Sequence, residues 1–209
     1  MKTKNEPKVI LELAKESDLP EFQKKLQEAF AIAVIETFGD CEDGPIPSDN
    51  DVQESFNAPG AVVYHILQDG KNVGGAVVRI NSQTNHNSLD LFYVSPEYHS
   101  QGIGLSAWKA IEAQYPDTVL WETVTPYFEK RNINFYVNKC GFHIVEFYNE
   151  HHSDPHMHRN GREDDKPLLN DDDFFRFVKI MKKRTKQLNT ARCRRELLVT
   201  FLYFIIRGR

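Results

Sequence analysis

Apolar positions change their spacing several times along the chain, and each change marks an element. Residues 9–13 are a short apolar run that predicts a strand. Asp18 and Pro20 supply a helix start, and Phe22, Leu26, Ala29, Phe30 and Ala33 follow at helical spacing. Residues 39–47 concentrate glycine, aspartate and proline and predict a loop. Ser48 or Asp49 can cap a second short helix that runs through Phe56 and ends at Pro59-Gly60. Two β-rich runs, 61–67 and 73–80, flank Asp69-Gly70, a hairpin signal. Polar residues 81–87 then lead into a third strand, 89–94.

Beyond this meander, helix and strand alternate. Residues 102–115 predict a helix, 118–124 a strand, and 127–139 a helix with Gly141 as its C-cap. Residues 142–147 predict a strand, 150–168 a polar loop, and 174–181 a strand able to pair with the one before it. Antiparallel strands first and alternation afterwards give a mixed α/β layer fold. From Lys182 the composition changes. Residues 182–195 are basic and 197–206 almost wholly apolar. That apolar run is shorter than the about 20 residues a membrane span needs. It reads as a segment that docks on the domain or on a second subunit, giving a homodimer. The division expected is a domain over 1–182 and an extension over 183–209.

The chain has 209 residues, a net charge of -4 and 40% hydrophobic residues, which suits one domain plus an appendage. That balance lacks the basic footprint of a nucleic-acid binder. Cys41, Cys140 and Cys193 have no metal-ligand spacing and read as free thiols in a reducing compartment. The charged start, without an apolar core, predicts a cytoplasmic protein. His151, His152, His156 and His158, with Glu150 and Asp154, are chemically suited to zinc or nickel. They match no structural zinc template, so no metal site is expected and the cluster reads first as a solvated loop.

The most informative stretch joins the third strand of the meander to the following helix. Val94-Ser95-Pro96-Glu97-Tyr98 leads into His99-Ser100-Gln101-Gly102-Ile103-Gly104. Glycine lets backbone amides approach a ligand, and the first amides of a helix point outward at its positive end. Together they make a cradle for phosphate. The bland alternative is two glycines easing a tight corner. The pattern is neither Walker A nor the dinucleotide fingerprint.

With Asn134-Phe135-Tyr136-Val137-Asn138-Lys139-Cys140-Gly141-Phe142 as a second signature, the sequence resembles the GNAT superfamily of acyl-CoA N-acyltransferases. The similarity runs over residues 9–181. It implies the GNAT acyl-CoA N-acyltransferase fold: α/β of the α+β type, a central, mostly antiparallel sheet with helices on both faces. It also implies acetyl-CoA as co-substrate and an amine acceptor. Cofactor contacts are then expected from Tyr93, Val94, His99, Ser100, Gln101, Gly102, Ile103, Gly104, Ser106 and Asn132. Two positions depart from the family: His99 replaces the usual Gln or Arg, and Glu129 replaces a common asparagine.

Acylating an amine requires losing a proton from nitrogen and protonating the departing thiolate. The resemblance implies Tyr136 as the acid and Glu122 as the base, with Asp90 the competing base. Alternate strand residues face opposite ways, so the choice depends on the cleft. Two other functions stay open: a catalytically silent acyl-CoA-binding module on the same fold, and a metal-binding interaction protein built on the histidine loop.

Overall fold

The computed structural model describes residues 7–39, 44–154 and 173–181. Cys41, Cys193, His156, His158 and the tail from Lys182 lie outside the described residues. Within them, the strands are β1 (Ile10–Leu13), β2 (Ala61–Gln68), β3 (Lys71–Arg79), β4 (His86–Val94), β5 (Leu120–Pro126), β6 (His143–Tyr148) and β7 (Phe174–Ile180). They form one sheet in the order β1-β2-β3-β4-β5-β7-β6. Only β4 and β5 pair in parallel; the other neighbours are antiparallel. The helices are α1 (Leu19–Phe38), α2 (Asp49–Asn57), α3 (Ile103–Gln114) and α4 (Lys130–Asn134), the last continuing as a π-helical turn, Phe135–Cys140.

Most boundaries follow the sequence patterns. Asp69 and Gly70 both have positive φ, 50° and 76°, as a two-residue hairpin requires, and β3 starts directly after them. Ser48 caps α2, its hydroxyl accepting from the Asp51 N–H at 3.2 Å. The helix expected from residue 127 begins later, at Lys130. The Glu129 N–H bonds to the Pro126 carbonyl, and the Tyr127 N–H is taken by Asp173 of the strand beside it. β7 pairs with β6, as the sequence allowed, but it also lies between β6 and β5. A strand insertion of that kind leaves no mark in element order.

Helices cover both faces because strand side chains alternate. Val77 packs with Phe22 and Leu26 of α1, Val52 of α2, and Tyr93. Its neighbours Ala76 and Val78 pack the other way, with Trp108 and Ile111 of α3, Trp121, Phe142 and Phe177.

One irregularity in β4 shapes the centre of the sheet. The register jumps from Val78↔Leu89 to Val77↔Leu91, so Asp90 has no residue opposite it. Such a bulge bends the strand and adds twist. On its other side, β4 pairs with β5 only through His86↔Leu120, Asn87↔Trp121 and Ser88↔Glu122. Past that point the two parallel strands separate. The Thr123 hydroxyl donates to the Leu89 carbonyl at 2.8 Å and closes the vertex of the cleft.

Close packing beside this cleft depends on Gly75. A Cβ there would lie 2.3 Å from Phe22 and 2.7 Å from Tyr93, whose rings meet edge to face at 5.3 Å. Gly75→Ala must displace one ring, and overpacking of this kind costs about 1–3 kcal/mol. The urea midpoint of Gly75→Ala should fall accordingly; an unchanged midpoint would contradict the packing described.

Candidate functional site

The turn from β4 into α3 is built from unusual backbone. Ser95 leads into one 3-10 turn, Pro96–Tyr98; Ser100 then takes φ 63° and Gly102 φ 85°. Gly102 is the left-handed N-cap of α3, and no side chain caps the helix. The first intrahelical bond runs from the Ser106 N–H to the Gly102 carbonyl at 3.1 Å. The amides before Ser106 therefore have no intrahelical acceptor, which is the requirement for an anion cradle.

The two glycines have different surroundings. Gly102 supplies the left-handed conformation. Gly104 lies beside two aromatic rings: a Cβ there would meet Phe135 at 3.4 Å and Phe92 at 3.8 Å, ordinary contact distances. Those two rings stack across the cleft, 5.9 Å apart and 7° from parallel.

His99 is fixed on both sides. Its Nε2 is 2.7 Å from the Val94 carbonyl, and its Nδ1 is 2.8 Å from Nη1 of Arg131 on α4. Arginine has no acceptor, so Nδ1 accepts and Nε2 carries the proton. Burial pushes the imidazole below its ordinary pKa, and Arg131 adds to this against the Val94 bond. Through this contact a cation stands beside the turn, where the sequence offered only a histidine.

The other expected contacts are spread along the cleft. Val94 ends β4, with its carbonyl used by His99. Ser100 and Gln101 are exposed, and the Gln101 amide folds back onto the Glu97 carbonyl at 3.0 Å. Ile103 and Ser106 are buried in the first turn of α3. Asn132 is half-buried on α4, across the cleft. The Tyr93 ring points to the α1 side, buried against Phe22 with its hydroxyl unpartnered, so only its backbone borders the cleft.

Tyr136 sits in the π-helical turn, an irregularity frequent at functional sites. Its ring packs on Phe135, Phe142 and Phe177, and Thr123 at the cleft vertex lies near its hydroxyl. Burial pushes the phenol well above its ordinary pKa, so it holds its proton at neutral pH.

Glu122 lies on the opposite face of β5 from Thr123 and Tyr136. Its carboxylate accepts from Arg176 at 2.6 Å, and the other arm of Arg176 reaches Glu146 at 3.2 Å. Glu146 also accepts from the Tyr148 hydroxyl at 3.0 Å and lies 3.0 Å from His152. These contacts, His152 foremost, hold Glu146 below the usual carboxylate range. Asp90, the bulge residue, accepts from Arg79 at 2.7 and 3.0 Å and from Ser88 at 2.5 Å. Among the described residues no cluster has the makeup of a metal site.

A family model described as the Acetyltransferase (GNAT) family matches residues 21–142. This chain belongs to the GNAT acetyltransferase family. It is also 99% identical over 184 residues to a Bacillus subtilis (strain 168) protein named YrkN, a match covering 88% of this chain and 100% of that one. Solved GNAT structures share the fold. The IAA acetyltransferase from Bacillus cereus ATCC 14579 superposes with a TM-score of 0.58 at 16% identity, over 83% of this chain and 100% of that one. A Bacillus subtilis acetyltransferase in complex with CoA gives 0.57 at 20% identity, over 84% and 100%. The ribosomal-protein-S18-alanine N-acetyltransferase from Escherichia coli gives 0.58 at 12% identity, over 87% and 99%.

Two residues of this GNAT cleft escaped the sequence reading, Arg131 and Arg176. Each is a charged residue on a helix or strand, a pattern that ordinarily marks a solvated face. Among the described residues no helix is long and apolar enough to cross a membrane.

The His99 geometry has a consequence for pH. A histidine held neutral by the fold binds fewer protons than in the unfolded chain as pH falls through its ordinary value. Its contribution is therefore present at neutral pH and lost on acidification. Nitrogen-15 NMR of the imidazole should give the Nε2–H tautomer at pH 7 and a titration midpoint below about 6.5. The Nδ1–H tautomer, or a midpoint above that value, would contradict the bridge.

Proposed function

We propose that this GNAT protein transfers an acetyl group from acetyl-CoA to a primary amine. The observation that carries the reading is the cleft itself. β4 parts from β5 at the Asp90 bulge, and the separated strand runs straight into an uncapped helix start. An extended thioester arm fits between two such strands, with its pyrophosphate at the helix terminus. Residues 99–104 would hold the phosphates through backbone amides, with Arg131 adding charge. The backbone of Tyr93 and Val94 would line the arm, with Ser106 and Asn132 on its flanks. The Bacillus subtilis acetyltransferase of similar fold is in complex with CoA, which supports the assignment of this group to the cleft.

In the reaction the amine nitrogen bonds to the carbonyl carbon, and the carbon–sulfur bond breaks. One proton leaves nitrogen and one joins sulfur. Tyr136 is suited to the second transfer, because its buried phenol stays protonated and faces the cleft vertex. Glu122, expected from the sequence as the base, and its competitor Asp90 both sit in ion pairs. Either would have to leave its arginine before taking a proton.

The function is tested with a library of amines and acetyl-CoA, read by release of free thiol. Small amines, polyamines and protein N-termini should all be included. Turnover with at least one class is expected; acetyl-CoA binding without thiol release across the library would leave a binding module instead. Acetyl-CoA should raise the thermal midpoint, since a ligand of the folded state alone stabilises it by mass action. Gly102→Val should largely remove that shift, because a β-branched residue resists φ near 85°. A folded Gly102→Val protein with an unchanged shift would contradict the cradle. Tyr136→Phe should keep acetyl-CoA affinity and lose about 10²–10⁴-fold in turnover. Full activity in that variant would remove the acid role.

A further inference from the structure

A phenol that gives its proton to a departing sulfur has to be held in place by the protein around it. Tyr136 is carried by a π-helical turn, a rare form of helix. The turn has six residues, Phe135–Cys140, and ends at Gly141, whose φ of 78° breaks it off before β6. The last carbonyls of a helix have no intrahelical donors and need partners from elsewhere. The Tyr136 carbonyl is met by two N–H groups, from Gly141 and from Phe142, the latter at 3.0 Å. The Cys140 carbonyl is met by a side chain from another element.

That side chain is Lys179 on β7. Its ammonium donates to the Cys140 carbonyl at 2.5 Å, across 39 positions of sequence. It also pairs at 2.5 Å with Glu112, in the last turn of α3, and stands 5.7 Å from the centre of the Trp108 ring. The Glu112 oxygen makes no hydrogen bond among the described residues, so this second contact is one of charge alone. A lysine ammonium is strongly hydrated and ordinarily keeps its head in water. Here the Lys179 and Glu112 side chains are only 21% and 18% exposed. The ammonium is turned inward, at the C-terminal end of the π-helical turn, where positive charge is favourable. At one point it ties together β7, the end of α3 and the end of the turn that carries Tyr136.

The same tie controls the walls around the Tyr136 ring. Lys179 and Phe177 alternate on one face of β7, and the Phe177 ring lies 5.6 Å from that of Tyr136. Phe142 follows Gly141 directly; its ring lies 5.6 Å from Tyr136 and 5.1 Å from Trp108. Tyr136 is therefore packed between a residue of the lysine's own strand and a residue just past the carbonyl that the lysine holds. Releasing that carbonyl frees the end of the turn and one wall of the ring's pocket together.

We propose that Lys179 is a positioning residue for the transfer: by fixing the end of the π-helical turn it holds the Tyr136 hydroxyl at the cleft vertex. The role rests on the acetyl-transfer reading, with Tyr136 as the acid. Lys179 touches neither thioester nor amine, and no proton passes through it. Its effect on rate is exerted through Tyr136 and cannot exceed the effect of removing that hydroxyl. Misplacing a reacting group by about 1 Å costs on the order of 10²-fold in rate, which sets the scale expected.

The test uses the full chain with the best amine from the library. Lys179→Met keeps the apolar stem and removes the ammonium, and Glu112→Gln is combined with it so that no buried charge is left unpaired. This double variant should lose about 10–10²-fold in kcat. Its acetyl-CoA affinity by calorimetry should stay within about threefold of wild type, since nothing in the phosphate turn has changed. Glu112→Gln alone leaves the bond to Cys140 and should lose less; an equal loss would assign the effect to α3 and overturn the role of Lys179. The readout that separates positioning from general loosening is a cycle with Tyr136→Phe. In that background the double variant should change kcat by less than about twofold, because the group it positions is already gone. A loss of full size there overturns the proposal, and so does wild-type kcat in the folded double variant. Lys179→Gln gives a second route through the same cycle should the double variant fold poorly. Wild-type protein that binds acetyl-CoA but acylates no amine overturns the transfer reading together with this one. An active wild type, with Tyr136→Phe impaired and the Lys179 variants unimpaired, overturns this one alone.

Discussion

A strand in the middle of a sheet bonds to both neighbours only while all three keep their spacing, and β4 does not. One unopposed residue, Asp90, bends it away from β5 after Ser88. Everything at the candidate site depends on that departure. The strand keeps its bonds to β3 and so stays rigid, while its other edge is released to face a ligand. Released edges normally invite aggregation. Here the edge is internal, with Thr123 closing one end and α3 starting at the other. The same residue that opens the cleft is anchored by Arg79, so its own charge is satisfied where the strand is least regular.

Charge around the cleft is organised by three arginines, each holding a different group. Arg79 holds Asp90, Arg176 holds Glu122 and Glu146, and Arg131 holds His99. The first two hold carboxylates in place. The third donates to a histidine that burial, with Arg131 adding, holds below its ordinary pKa, and directs its N–H onto the Val94 carbonyl. Tyr136, by contrast, is buried among aromatic rings, and burial keeps its phenol protonated. A division of this kind, between titratable groups whose settings push them apart, is how a site separates structural charges from groups that exchange protons.

The fold was legible in the sequence because its signals are local. The Asp69-Gly70 turn, the Ser48 cap, the helical spacing after Asp18 and the alternation from residue 102 each act over a few residues. So was the turn from β4 into α3, since Gly102 has to be where a left-handed N-cap is needed. The insertion of β7 between β5 and β6 was not legible, because strand order across a sheet is decided by non-local pairing. Neither was the bulge, which looks like any other position in a β-rich run. Side-chain surroundings were not legible for a related reason. Spacing tells that a residue lies near a cleft, but not that Gly104 sits beside Phe92 and Phe135, or that the Tyr93 ring turns toward α1. Glu122 carried the right chemistry for a base, and its spacing could not reveal Arg176, which follows it by 54 positions.

The central claim is that the gap opened by the β4 bulge receives the acyl thioester. A crystal structure of the full chain with acetyl-CoA tests it most directly. The account predicts pyrophosphate on the amides that follow Gly102, with Arg131 in contact. It predicts the pantetheine arm extended between β4 and β5, and the sulfur within hydrogen-bonding reach of the Tyr136 hydroxyl. Acetyl-CoA bound on another face, or β4 and β5 closed against each other with the thioester outside, would contradict it.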